Sequence, residues 1–571
     1  MKFSTIFTFA CTATFAISQA VPGTGVTKKD LGDEVIKALE KALQAGTCGA
    51  CNTTLAALKV VSLLGDRAFV DALSSACVVL GLFRGGEDVC AGAIRLEGPT
   101  LAHDLREMKV PSHTSQLFCA HFLGLCGYPD VVPYTVSFPS PKPAPAGRPA
   151  PSGQEPIQIV QYSDIHIDPF YVTGSNTDCG KPVCCRVYED SDAPGSTSSP
   201  AGPFGDYACD VPVSLEESMH TAISEIAPNA AFTTFTGDIV DHAVWNTTQA
   251  QNTIDINDAY AKMSARRLVY GTIGNHEASP TNAFPPTSVG DDSDWVYNLL
   301  SGIWSRWIGV TAASAEQDFG AYSTKYERGN LRVVSLNTNF YYALNFWMYR
   351  RNFETDPSGQ LAWLVRELQA AEDVNERVYI IDHTPPGRDD TFRDISNYFD
   401  QIMNRYSGTI ATLFFGHTYK GHFEIAYSDY SARSYSNALA VSYIMPSLTP
   451  TDGHPSFRIY SVDPVTFAIL DSTTYIADVT NPGYQTTSPV WTKYYSAKEA
   501  YSPLISETFA NDTSAELAPA FWHNVTAALQ SNPDAFSAYY ARKTRGWEVP
   551  ACDDVCKVSK ICQLQANAGA R

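Results

Sequence analysis

Apolar residues return at helical spacing over residues 30–43, where Val35, Ile36, Leu39 and Leu43 share one face, so a helix is predicted there. Stretches 54–64 and 69–82 are equally helix-compatible. From residue 157 the pattern changes to short apolar runs at 157–162, 231–236, 268–273, 331–336, 378–381 and 410–415, which predict buried strands. Leu361, Leu364, Val365 and Leu368 form a helical stripe between two of them, opened by Asp356 and Pro357. Strands alternating with helices predict a sheet-centred α/β domain over 157–475. The last segment, 476–571, is aromatic and helical, and it predicts an extension packed on that domain.

Before residue 157 two further segments separate. Residues 129–156 hold nine prolines, which predicts a stiff, extended linker over 131–156 that keeps two domains apart while letting them reorient. Residues 45–130 hold Cys48, Cys51, Cys77, Cys90, Cys119 and Cys126 between helical stretches, and six cysteines leave fifteen pairings open. Residues 1–20 carry Lys2, a short apolar run and Ser18-Gln19-Ala20, the layout of a secretory signal peptide too short to span a bilayer. A secreted protein is expected, with an acidic vacuole or lysosome as the alternative destination. Of the 14 cysteines, the 13 after Cys11 are an odd number, and Cys562 is the candidate free thiol. Sequons at Asn52, Asn246, Asn511 and Asn524 are candidate glycosylation sites. The net charge of -20 argues against nucleic acid as a partner.

Five of the apolar runs end in tight polar groups: Asp164-Ile165-His166, Gly237-Asp238 with Asp241-His242, Gly274-Asn275-His276-Glu277, His383 with Pro385-Pro386-Gly387, and Gly416-His417. Polar groups at strand ends are where α/β folds place their sites. Carboxylate, amide oxygen and imidazole together suit zinc, manganese or iron better than magnesium or calcium. A bridging carboxylate would set two ions at the spacing used in phosphoester chemistry. Taken singly, each group also fits a turn or a hydrogen-bonded core histidine; the ordered set of five points to a metal site.

This order of motifs resembles the calcineurin-like metallophosphoesterases over about residues 157–475. The cysteine-rich N-terminal segment resembles the saposin B-type domain. Together with the proline linker and Asp178–Cys185, it is similar to the acid sphingomyelinase family. The resemblance implies a β-sandwich flanked by helices behind a small disulfide-stapled all-α domain. It also implies the pairs Cys48–Cys126, Cys51–Cys119, Cys77–Cys90, Cys179–Cys184, Cys185–Cys209 and Cys552–Cys556. Two zinc ions are implied, one held by Asp164 and His166, a second by Asn275, His383 and His417, with Asp238 bridging. His242 and His276 resemble the pair that stabilises the transition state and protonates the leaving alkoxide, their alternative being to orient a ligand. The implied reaction is hydrolysis of sphingomyelin to ceramide and phosphocholine by a monomer that meets the membrane through its saposin-like domain. A phosphodiesterase or phosphatase acting on nucleotides or other soluble phosphoesters is the second enzyme reading.

One position departs from the family. Its Gly-His-Thr-His is here Gly416-His417-Thr418-Tyr419, so Tyr419 stands where a ligand of the first zinc belongs. Three readings stay open: Tyr419 binds as a phenolate, water fills the position with weaker affinity, or the chain is a catalytically impaired lipid-binding glycoprotein. His422 could substitute only if the loop shifted.

Overall fold

The computed structural model describes residues 28–144, 147–264 and 267–566, so the leader read at 1–20 lies outside the described residues. Helix α1 (Lys28–Ala45) covers the first predicted helix. It is followed by α2 (Cys48–Ser62), α3 (Asp66–Leu80), α4 (Glu87–Glu107) and α5 (His113–His121). Thr47 caps α2 by accepting the Ala50 N–H. Disulfides Cys48–Cys126 and Cys51–Cys119 tie α2 to the end of the domain, and Cys77–Cys90 joins α3 to α4. These are the pairs the saposin resemblance implied. A unit this small buries little core, and cross-links that close long loops typically contribute about 2–4 kcal/mol each. The other bonds are Cys179–Cys184, Cys185–Cys209 and Cys552–Cys556, and Cys562 is free. Among the described residues no helix is long and apolar enough to cross a membrane.

Twelve strands follow among the described residues: β1 (Ile157–Tyr162), β2 (Thr233–Phe235), β3 (Val269–Gly271), β4 (Tyr322–Tyr326), β5 (Leu331–Ser335), β6 (Arg377–Ile381), β7 (Ile410–Phe415), β8 (His422–Tyr427), β9 (Ala438–Ile444), β10 (Ser456–Val462), β11 (Ile469–Ala477) and β12 (Trp491–Ser496). They form two six-stranded mixed sheets, ordered β12-β11-β10-β1-β2-β3 and β4-β5-β6-β7-β9-β8. β1, β2 and β3 run parallel, as do β5, β6, β7 and β9. The sheets pack face to face, Phe414 of β7 meeting Tyr460 of β10 at 5.1 Å. Every residue of β6 and β7 is buried, because helices cover the outer face. The predicted helix forms over Gln360–Asp373, and Asp356 accepts the Leu361 and Ala362 N–H groups at its start.

Two expectations need correction. The boundary read at 475 falls inside β11, and β12 extends the same sheet. Alternating burial along β11 and exposure along β12 left no continuous apolar run to read. The linker is extended but does not hold the domains apart. Helix Arg393–Arg405 grips it with Asp394, Tyr398, Gln401 and Arg405, which repeat on one helical face. Asp394 accepts the Val132 N–H at 2.7 Å, Tyr398 donates to the Val132 carbonyl at 2.6 Å, Gln401 donates to Tyr134 at 3.0 Å and Arg405 to Ser140 at 2.8 Å. The N-terminal domain is docked as well: Phe122 stacks on Phe346 at 4.9 Å, Phe118 meets Tyr349 edge-on at 5.3 Å, and Lys181 pairs with Asp88 at 2.7 Å.

Candidate dimetal site

The five polar groups leave β1, β2, β3, β6 and β7 at their C-terminal ends and meet between the two sheets. The backbone there is strained in a telling way. Asp164, His166, Asp238, His417 and Tyr419 all have positive φ, between 47° and 68°. Left-handed non-glycine residues cost roughly 1–3 kcal/mol each and persist where the surroundings enforce them, often at functional sites. Gly237, at φ 88°, lies so close to Gly274 and the His383 ring that a Cβ would collide with both.

Each imidazole is oriented from behind. His166 Nδ1 donates to the Val240 carbonyl at 2.8 Å, His383 Nδ1 to Thr236 at 2.7 Å and His276 Nδ1 to Asp241 at 3.0 Å. In the neutral rings their Nε2 atoms therefore carry lone pairs that face the site. His417 is turned the other way: Nε2 faces Asp390 at 3.2 Å, leaving Nδ1 as the lone pair. The Asn275 amide donates to Asn282 Oδ1 at 2.9 Å, which turns Asn275 Oδ1 into the site.

The result is a knot of acceptors. Asn275 Oδ1 lies 3.0 Å from His383 Nε2 and 3.1 Å from His417 Nδ1. Those two nitrogens are 3.1 Å apart, and His383 Nε2 is also 3.1 Å from Asp238 Oδ2. Asp238 Oδ2 is buried without a hydrogen-bond partner. Acceptors converging at this range need a positive charge among them, a proton on His383 or a metal ion, and the residues fit a metal ion held by Asp238, Asn275, His383 and His417. Burial alone would lower the His383 pKa, but the carboxylates of Asp238 and Asp164 outweigh it and raise it to about 9, so the cluster favours positive charge at its centre. A second group, Asp164, His166 and Asp238, also has its donor atoms within 4.8 Å of one another. Asp164 is fixed by accepting the His417 N–H at 2.9 and 3.0 Å, and Asp238 Oδ2 lies 3.5 Å from His166 Nε2, so Asp238 stands between the two groups.

His242 and His276 sit beside this second group. His242 stacks on His166 with centroids 3.8 Å apart, and His276 meets His166 edge-on at 4.7 Å. Tyr419 Oη lies 2.6 Å from His242 Nε2 and 3.1 Å from His166 Nε2. Burial and the nearby Asp238, Asp164 and Asp210 carboxylates push its phenol well above the ordinary range. His422 does not join the site: it is buried in β8 with Nδ1 on the Lys420 carbonyl and Nε2 toward Glu424.

All the predicted ligand residues, with His242, His276 and Tyr419, come together here. The residues that orient them were missed. Asp210 accepts both the His242 N–H at 2.7 Å and Nδ1–H at 2.6 Å. Burial opposes its charge, but His242 outweighs that and holds Asp210 at about 2. Glu277 accepts Gly274 N–H at 2.6 Å and Ile239 N–H at 2.5 Å, clamping two motif turns together. Tyr342 meets the His417 ring edge-on at 4.8 Å. Glu277 was inside a motif but had no role; Asp210 follows Cys209 with no motif around it.

Comparison with known proteins agrees with this geometry. Residues 157–421 match the calcineurin-like phosphoesterase family. The sphingomyelin phosphodiesterase B of Dictyostelium discoideum is 30% identical over 553 residues, covering 94% of this chain and 83% of that protein. The sphingomyelin phosphodiesterase of Homo sapiens is 33% identical over 426 residues, covering 72% of this chain and 64% of that protein. That of Bos taurus is 31% identical over 500 residues, covering 84% and 76%. With a phosphoesterase site of this make-up and likeness running from the N-terminal helices to the C-terminal extension, the chain belongs to the sphingomyelin phosphodiesterase family.

Proposed function

We propose that this chain is a secreted, zinc-dependent phosphodiesterase that hydrolyses sphingomyelin to ceramide and phosphocholine at a membrane surface. The observation that carries the reading is the convergence of four atoms from Asp238, Asn275, His383 and His417, among them Asp238 Oδ2, which is buried without a hydrogen-bond partner. Imidazole, carboxylate and amide oxygen form a donor set that suits zinc. Two bound ions would supply Lewis-acid polarisation of the phosphoryl group and an activated water. The chain's own residues do the rest. Asp210 orients His242 so that its Nε2 faces the site, where it can hold or move a proton. His276, turned by the Asp241 carbonyl, presents Nε2 from another side.

The lipid part of the reading is supported by the N-terminal domain, where Leu43, Val60, Leu63, Leu64, Val78, Val79 and Phe83 are exposed, Leu63 by 65%. Apolar side chains in water on a helical domain suit a bilayer interface. Secretion is supported by the disulfides. Asn246, Asn511 and Asn524 are exposed and can carry glycans. Asn52 is half-buried, its amide donating to the Cys48 carbonyl and accepting from Ser115, so a glycan there would have to displace those bonds.

The test is phosphocholine release from sphingomyelin mixed micelles by the purified chain at acid pH, with Asp238→Asn as the blank. Release above the blank is expected. Release equal to the blank, with hydrolysis of a soluble diester retained, would remove sphingomyelin as the substrate.

A further inference from the structure

Tyr419 occupies the site rather than leaving it. Its φ of 57° is a conformation a tyrosine does not adopt freely, and this backbone aims the ring at the first group of donors. There Oη is 3.1 Å from His166 Nε2, a lone-pair atom because its Nδ1–H is taken by Val240. The other close acceptor on that nitrogen is Asp238 Oδ2, 3.5 Å away, buried and without a hydrogen-bond partner. The single phenol proton can serve only one of two accepting nitrogens, His242 Nε2 at 2.6 Å and His166 Nε2 at 3.1 Å, so Oη reaches the first group of donors with a contact to His166 that no proton fills when His242 takes it.

We propose that Tyr419 Oη is a direct protein ligand of the first metal ion, completing a set with Asp164, His166 and Asp238. The inference rests on the dimetal reading above. As the ion binds, the oxygen–metal bond replaces the O–H bond and the phenol proton passes to His242 Nε2, 2.6 Å away, which then donates it back to the coordinated oxygen. The two sites then differ in kind. The first is dominated by oxygen, from two carboxylates and a phenolate with one imidazole; the second has two imidazoles, an amide oxygen and the shared carboxylate. Harder, more oxygen-rich sets favour harder ions, so the two positions differ in metal preference.

The experiment is a zinc titration of the full-length protein after chelation. Bound zinc is counted by elemental analysis and ligation is read from the near-ultraviolet difference absorption of tyrosinate. Two ions per chain are expected, with a tyrosinate signal that grows as the weaker site fills. Tyr419→Phe should lose the signal and weaken one of the two ions by at least about 10-fold. Tyr419→His should keep both ions without the signal, which also shows that the turn accepts substitution. His242→Ala should keep both ions, since His242 orients the phenol without holding metal. Two ions bound by the native chain with no tyrosinate signal would overturn the proposal, as would unchanged zinc affinity in Tyr419→Phe. So would loss of an ion in His242→Ala with none lost in Tyr419→Phe, which would move the ion to the three-imidazole group His166, His242 and His276. Failure of the native chain to bind either ion would overturn the dimetal reading itself, and is recognised by the absence of any zinc that Asp238→Asn removes.

Discussion

At the scale of single residues, the site is governed by which nitrogen of each histidine is already spoken for. Backbone carbonyls at Val240, Thr236 and Asp241 fix His166, His383 and His276, and these acceptors cannot be altered by changing a side chain. Two imidazoles are fixed by carboxylates instead: His242 by Asp210 and His417 by Asp390. That difference makes the two carboxylates testable. Asp210→Asn keeps the shape but can present its amide N–H to Nδ1, which reverses the tautomer and takes the proton off Nδ1. Turnover of a soluble diester is expected to fall by about 10–100-fold with zinc content unchanged, because Asp210 touches no proposed ligand side chain. A matching loss of zinc in Asp210→Asn would show that His242 holds metal and refute the orienting role.

At the scale of elements, strands were legible where most of their residues are apolar and illegible where buried positions carry polar or charged side chains. β1 and β7 are mostly apolar, broken only by Gln158 and Gln161 in β1 and by Thr412 in β7, and their predicted bounds coincide with those observed. β10 buries Arg458 beside Tyr460, and β8 begins with the buried His422 and contains the buried Glu424, so neither resembles an apolar strand in sequence. The grip of helix Arg393–Arg405 on the linker was hidden for a related reason. Its Asp394, Tyr398, Gln401 and Arg405 are polar and look like a solvated face until their partners are known. Tyr398→Phe removes one of these bonds and should cost about 1 kcal/mol of stability. It should also speed cleavage of the linker in limited proteolysis; an unchanged cleavage rate would mean that the strap is held by its other contacts alone.

At the scale of the whole molecule, the far ends of the chain brace the centre. Arg545, in the C-terminal extension, is fully buried and donates to the Ser447, Thr449 and His454 carbonyls. The same loop donates from Leu448 and Thr449 to the Ser163 and Asp164 carbonyls, so the extension supports the strand end that carries Asp164. From the other end, Phe118 and Phe122 pack on the segment bearing Phe346 and Tyr349, which follows Tyr342 against His417. Metal binding should therefore stabilise the assembled molecule. At free zinc a hundredfold above Kd, each site adds about 2.7 kcal/mol. The thermal midpoint is expected to fall on chelation and to recover with zinc, and Asp238→Asn should respond to neither. A midpoint indifferent to chelator in the native chain would contradict metal linkage.

The sequence by itself determined the chemistry that local order can encode: which short apolar runs form strands, which turns carry carboxylate, amide and imidazole, and which cysteines are available to pair. These signals survive in one dimension because each is a short pattern of residue types. Tertiary structure decided everything that depends on a partner distant in the chain. It turned Asn275 by way of Asn282, held His242 through Asp210, placed the phenol of Tyr419 against His166, and bound the proline linker to a helix more than 250 residues away. A hydrogen-bond donor is legible in sequence, but the acceptor that fixes its direction is chosen only when the fold brings the two within 3 Å of each other.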